Sequence, residues 1–160
     1  MSEVLNVLII EDSEDDALLV VRALCRGQLQ PNWERVQTAE SVYEMLTTGS
    51  WDIVLSDYNL PGFDAPAALE IVKRLKPELP FIVISGTIGE ERAVAMMRLG
   101  VNDYLMKDSL ARLPEAVRRE VQEAQNRVEN QKTRAALSQS KATSSAIINA
   151  IPDLLMSMNR

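Results

Sequence analysis

Five polar residues stand just behind short apolar runs. Glu11 and Asp12 follow residues 4–10, Asp57 follows residues 53–55 by way of Ser56, Ser85 follows residues 81–84, and Lys107 follows residues 104–106. Together they are three carboxylates, a hydroxyl and an ammonium. Carboxylates brought close together repel one another and need a cation. An all-oxygen donor set without histidine or cysteine favours Mg2+. A magnesium ion held by Asp12 and Asp57 would leave positions open for phosphate oxygens. Lys107 would pair with the Asp57 carboxylate or with a phosphoryl oxygen, and Ser85 would hydrogen-bond another. This set suits in-line attack of a carboxylate on phosphorus, with metal and lysine neutralising the developing charge. It does not suit ATP, since there is no glycine-rich phosphate loop. The sequence has no histidine, which removes histidine acid–base chemistry, the usual zinc sites and any phospho-histidine made within these residues.

Positioning these groups requires strands. The four apolar runs have the length of buried strands, and a fainter fifth run at residues 33–36 reads as an edge strand. Between them the apolar residues fall at helical spacing: Ala17, Leu18, Val21 and Leu24; Val42, Met45 and Leu46; Ala68, Leu69, Val72 and Leu75; Val94 and Met97. Met96 and Met97 read as packing. Strand and helix alternate five times, which predicts an α/β fold with a parallel sheet covered on both faces. Functional groups of such sheets gather at the carboxyl ends of the strands. Helix starts are expected at Ser13, at Asp64 followed by Pro66, and at Thr87 with Glu90 in capping-box spacing. Asp15 and Asp16 read as partners of the first helix dipole. Stops are expected at Gly49, Pro77 and Gly100.

The chain has 160 residues, 46% hydrophobic and 25% charged, enough for one ordinary domain and an appendage. Lys and Arg number 17 against 23 Asp and Glu, a net charge of −6, which argues against nucleic acid as a partner of this segment. The single cysteine, Cys25, is expected in the core. No apolar stretch is long enough for a membrane span, and no basic residues precede the first apolar run, so a cytoplasmic location is expected.

After Asp108 the texture changes. Charges of both signs mix over a stretch with almost no glycine or proline, and Val121, Val128, Ala135 and Ala142 recur every seven residues. A helix of about 40 residues would extend about 60 Å and needs a partner, most simply a second copy in a parallel coiled coil. The expected division is residues 1–125 for the α/β domain, 126–149 for a helical coiled-coil linker that makes a homodimer, and 150–160 for the truncated start of something further.

These residues carry a family resemblance. Ile9-Ile10-Glu11-Asp12, Ile53-Val54-Leu55-Ser56-Asp57 with Pro61-Gly62, Ile84-Ser85-Gly86 and Asp103-Tyr104-Leu105-Met106-Lys107 together resemble the receiver domain of two-component response regulators. The resemblance implies a doubly wound, five-stranded, flavodoxin-like parallel sheet of order 2-1-3-4-5. It also implies that Asp57 accepts a phosphoryl group from a phospho-histidine on a sensor histidine kinase or a histidine phosphotransfer protein. Asp12 and Asp57 would ligate Mg2+ directly, Glu11 through water, and Asn59 through its backbone carbonyl. Ser85 and Tyr104 look like the family's switch pair, and Asn59 and Thr87 stand where side chains tune dephosphorylation. Asp108 stands where the family usually has proline, Ala65 where glycine is common, and Gly86 where alanine is frequent. A second likeness lies in Ala150-Ile151-Pro152-Asp153-Leu154-Leu155, which is similar to the opening of a PAS sensory domain.

Two other functions compete with this one. A Mg2+-dependent phosphohydrolase with an aspartate nucleophile would want a second acid two residues beyond it, where Asn59 stands. A receiver-like interaction module that no longer takes phosphate would have no use for Glu11, Asp12, Asp57 and Lys107 together. The expected protein is a phosphoacceptor switch that catalyses only its own phosphorylation and dephosphorylation.

Overall fold

The computed structural model describes residues 3–60, 62–86 and 89–144, with side chains through Val128. Five strands form one parallel sheet: β1 (Glu3–Ile10), β2 (Leu29–Val36), β3 (Ile53–Asp57), β4 (Phe81–Ser85) and β5 (Asp103–Met106). Their order is β2-β1-β3-β4-β5, the doubly wound arrangement expected. Five helices alternate with them: α1 (Glu14–Arg26), α2 (Ala39–Thr48), α3 (Ala65–Leu75), α4 (Glu90–Leu99) and α5 (Leu113–Ser144). A short antiparallel ladder, Asn59–Leu60 with Phe63–Asp64, bridges β3 to α3.

Side chains alternate across the sheet, so each central strand feeds two cores. Val7, Ile9, Leu55, Ile82, Ile84 and Leu105 face α1 and α5, where they meet Ala17, Val20, Leu24, Leu113 and Val117. Leu8, Ile10, Val54, Phe81 and Val83 face the other layer, where Val42, Leu46, Leu69, Val72 and Met96 cover them. Burial on both faces explains why β1, β3 and β4 read as continuous apolar runs.

Caps fix where the helices begin. Ser13 Oγ accepts from Asp16 N at 3.2 Å, Thr38 Oγ1 from Ser41 N at 3.1 Å, and Asp64 Oδ1 from Ala67 N at 3.1 Å, each satisfying an otherwise unpaired N–H. α4 differs from the capping box expected of Thr87 and Glu90: its N-cap is Gly89, with no side-chain cap bond, and Thr87 lies outside the described residues. Gly100 ends α4 at φ 107°, a left-handed turn that glycine adopts without a Cβ penalty. Asn102 then ties the sheet to α5. Its Oδ1 accepts from Phe81 N at 2.9 Å while its Nδ2 donates to the buried Glu120 at 3.2 Å.

Several inward assignments are corrected. Cys25 and Leu18 are exposed, because Ala17, Val20, Ala23 and Leu24 already fill the inner face of α1. Val94 and Met97 are also exposed, while Met96 alone is the buried residue of α4. β2 extends four residues earlier than its apolar part. Gln30, Pro31 and Asn32 belong to it, tolerated because an edge strand pairs on one side only. Val121, the first of the residues that recur every seven, is buried within the core shared by α1 and α5. The remaining seam positions past Val128 and the PAS-like segment at 150–160 lie outside the side chains described.

Candidate functional site

Register brings the strand ends to one edge. Ile10 is opposite Ser56, Asp57 opposite Ile84, and Ser85 opposite Met106, so Glu11, Asp57, Ser85 and Lys107 emerge at neighbouring points. The chain leaves β1 for one side of the sheet and returns through β3 on the other, which opens a crevice between their carboxyl ends.

Glu11, Asp12 and Asp57 converge there, each offering a carboxylate oxygen within 4.8 Å of the others. Such an all-carboxylate cluster can hold a hard divalent cation. Each acid is oriented differently. Glu11 is buried; its Oε1 accepts from Ser13 N at 3.1 Å and its Oε2 faces Lys107 Nζ at 3.1 Å. Its backbone is anchored by Glu11 N donating to Val36 O and by Arg35 donating to Glu11 O. Asp57 Oδ1 accepts from Tyr58 N at 2.7 Å, which leaves Oδ2 turned toward Lys107 at 3.4 Å. Asp12 is exposed at the mouth.

Burial pushes the Glu11 carboxyl up to about 7, and the charge of Asp57 and a side-chain hydrogen bond with Asp12 work in the same direction; the bonds from Ser13 and Lys107 oppose them without cancelling them. For Lys107, burial favours the neutral amine, but hydrogen bonds to Asp16 and Glu11 and the charges of Glu11 and Asp57 outweigh it. The ammonium is held well above the ordinary lysine range.

The response regulator receiver domain profile matches residues 7–118 of this sequence. The chain belongs to that family. Among curated relatives, the response regulator FleR of Pseudomonas aeruginosa is 35% identical over 77 residues, which cover 48% of this chain and 16% of FleR. The DNA-binding transcriptional regulator NtrC of Klebsiella pneumoniae is 31% identical over 99 residues, 62% of this chain and 21% of NtrC. The chain thus spans about a fifth or less of the length of these relatives. Among solved structures, NtrX from Brucella abortus aligns with a TM-score of 0.71 at 26% identity, covering 83% of this chain and 30% of NtrX. A Francisella response regulator receiver domain shares the fold at 19% identity, with a TM-score of 0.65 over 74% of this chain and 98% of that one.

A receiver domain is a phosphoacceptor switch of two-component signalling rather than a conventional enzyme, and its acidic pocket of Glu11, Asp12 and Asp57 is typical of the phosphoacceptor site. The other residues expected around that pocket fall as follows. Ser85 is buried at the end of β4. Tyr104 sits on β5, packed against the α2–α4 side of the core, and its buried hydroxyl has no hydrogen-bond partner among the described residues. Asn59 is exposed in the loop ladder directly after Tyr58. No cis peptide occurs among the described residues, and a 3-10 turn, Lys107–Arg112, runs on from the lysine through Asp108.

One participant escaped sequence reasoning. Asp16, expected only to face the helix dipole, comes closest to Lys107, with its Oδ2 at 2.7 Å from Nζ. Its spacing held the signal. Asp16 is three residues past the cap Ser13, where an acid ordinarily reaches back to the cap N–H. Glu11 has taken that N–H, and the Asp16 carboxylate turns to the lysine instead.

No helix among the described residues is long and apolar enough to cross a membrane.

Proposed function

We propose that Asp57 accepts a phosphoryl group from a phospho-histidine on a partner histidine kinase or histidine phosphotransfer protein. One observation carries this reading: three carboxylates within 4.8 Å of one another, with the Lys107 ammonium 3.4 Å from Asp57. In the step, an Asp57 oxygen forms a bond to phosphorus as the N–P bond of the partner's phospho-imidazole breaks, and the imidazole leaves with the bonding pair. Tyr58 N–H fixes the carboxylate for in-line approach.

The donor set fits Mg2+. Asp12 and Asp57 would hold it directly, Glu11 through water, and Asn59 through its backbone carbonyl. Bound there, the ion supplies positive charge to the phosphoryl oxygens. Lys107 neutralises a further oxygen of the transferring group, and the Ser85 hydroxyl hydrogen-bonds another. Ser85 and Tyr104 form the switch pair: as the hydroxyl moves onto the phosphoryl group, the ring of Tyr104 settles into the space behind it. The phosphoryl group carries a charge of about −2 where the free carboxylate carried one negative charge, and this change at Asp57 biases one of two packings of this edge. Asn59 and Thr87 tune how readily water removes the phosphoryl group.

The state is relayed through α5, which continues to Ser144 past the residues buried in the core. A homodimer pairing along Val128, Ala135 and Ala142, a PAS-like continuation from residue 150 and a cytoplasmic location complete this reading. Sedimentation with and without beryllofluoride tests the dimer; a monomer under both conditions contradicts it. The acceptor is tested by labelling with acetyl phosphate. Labelling is expected to require Mg2+ and to vanish in Asp57→Asn; labelling that survives the substitution overturns the assignment.

A further inference from the structure

The resting lysine is bound most closely by a carboxylate that phosphoryl acceptance does not need. Lys107 Nζ has three N–H donors and faces three carboxylates: Asp16 at 2.7 Å, Glu11 at 3.1 Å and Asp57 at 3.4 Å. Asp16 lies on the first turn of α1 and is not one of the acids grouped around the candidate cation position. A phosphoryl oxygen that binds Lys107 must displace one of the three. Glu11 and Asp57 have side chains only 5% and 14% exposed, whereas that of Asp16 is 35% exposed. Water rehydrates Asp16 most readily, so the exchange costs least there. The stem of the lysine has room to make the move. A Cβ on residue 86 would lie 3.6 Å from Lys107 Cδ, and Gly86 leaves that space open.

We propose that Asp16 is a positioning residue that holds the Lys107 ammonium in the resting state as its closest partner and yields it to the incoming phosphoryl group. This rests on the reading of Asp57 as acceptor. Asp16 therefore sets how strongly the resting form resists phosphorylation, acting through Lys107 and touching neither the acceptor nor the phosphoryl group.

The test is calorimetric titration of the whole chain with beryllofluoride in saturating Mg2+. Asp16→Asn is expected to bind the mimic about tenfold more tightly, the effect of losing one charge-assisted hydrogen bond from the resting state. Asp15→Asn, which removes the same charge one residue away on an exposed position, is expected to stay within about twofold of the unsubstituted chain, as a screened surface charge should. Asp16→Glu, which keeps the carboxylate, is expected to restore the original affinity, and Asp16→Ser repeats the test should the amide disturb the helix start. Unchanged or weaker binding in both Asp16→Asn and Asp16→Ser overturns the proposal. So does an equal gain in Asp15→Asn, which would make the effect one of general field. Beryllofluoride that fails to bind the unsubstituted chain overturns the acceptor reading itself, and the positioning role with it.

Discussion

The buried Glu11 makes the pocket a source of pH-dependent instability. Its carboxyl lies at about 7 in the folded chain against an ordinary 4.5. A group raised on folding contributes its stability fully below the unfolded value and loses it as pH rises through the folded value. At 1.36 kcal/mol per pH unit, the interval corresponds to about 3 kcal/mol lost between pH 4.5 and pH 8 without metal. That is a drop on the order of 10 °C in midpoint for a domain of this size. Glu11→Gln keeps an acceptor for Ser13 N–H but cannot ionise. It forfeits the contact to Lys107, which costs about 1 kcal/mol, and still gains overall at pH 8. Thermal unfolding in EDTA from pH 5 to 8 should show a falling profile for the unsubstituted chain and a flatter one for Glu11→Gln, with the substituted chain the more stable from about pH 5.5 upward. Excess Mg2+ at pH 8 should restore the unsubstituted chain, because a ligand of the folded form alone stabilises it by mass action. A profile that is level across this range, or a Glu11→Gln variant that falls as steeply, would refute the account of Glu11.

Three further substitutions probe the surroundings. Tyr104→Phe removes a buried hydroxyl without a partner among the described residues, and denaturant unfolding should show it unchanged or stabilised by up to about 1 kcal/mol. Gly86→Ala places a methyl in ordinary contact with Lys107 Cδ and narrows the unfolded ensemble, so a gain of about 0.4–1 kcal/mol is expected in the same measurement. Gly27→Ala should lose about 1–3 kcal/mol. Its Cβ would collide with the ring of Pro114 at the start of α5, next to the carbonyl of residue 27 that Arg118 donates to.

What could be read from the sequence follows from burial. β1, β3 and β4 are covered on both faces, so their apolar runs and the polar residues ending them were legible, and with them Glu11, Asp12, Asp57, Ser85 and Lys107. The exposed half of β2 was not legible, since Gln30 and Asn32 at an edge leave no apolar signal. α1 and α4 misled because apolar residues occur on more than one of their faces. Leu18 and Met97 fit a helical spacing as well as Val20 and Met96 do, and only packing against the sheet distinguishes them. Asp16 was hidden because a helix-dipole explanation sufficed for it. Its tie to Lys107 spans 91 residues and depends on the sheet bringing the carboxyl ends of β1 and β5, with β3 and β4 between them, to one edge.

The central claim is that Asp57 takes the phosphoryl group. The most direct measurement is peptide mapping by mass spectrometry after treatment with acetyl phosphate and Mg2+, with the acyl phosphate trapped by borohydride reduction. The account predicts a single modified residue, Asp57, and none when Mg2+ is withheld. Modification at Glu11 or Asp12 instead, or at Asp57 equally well without Mg2+, would contradict it.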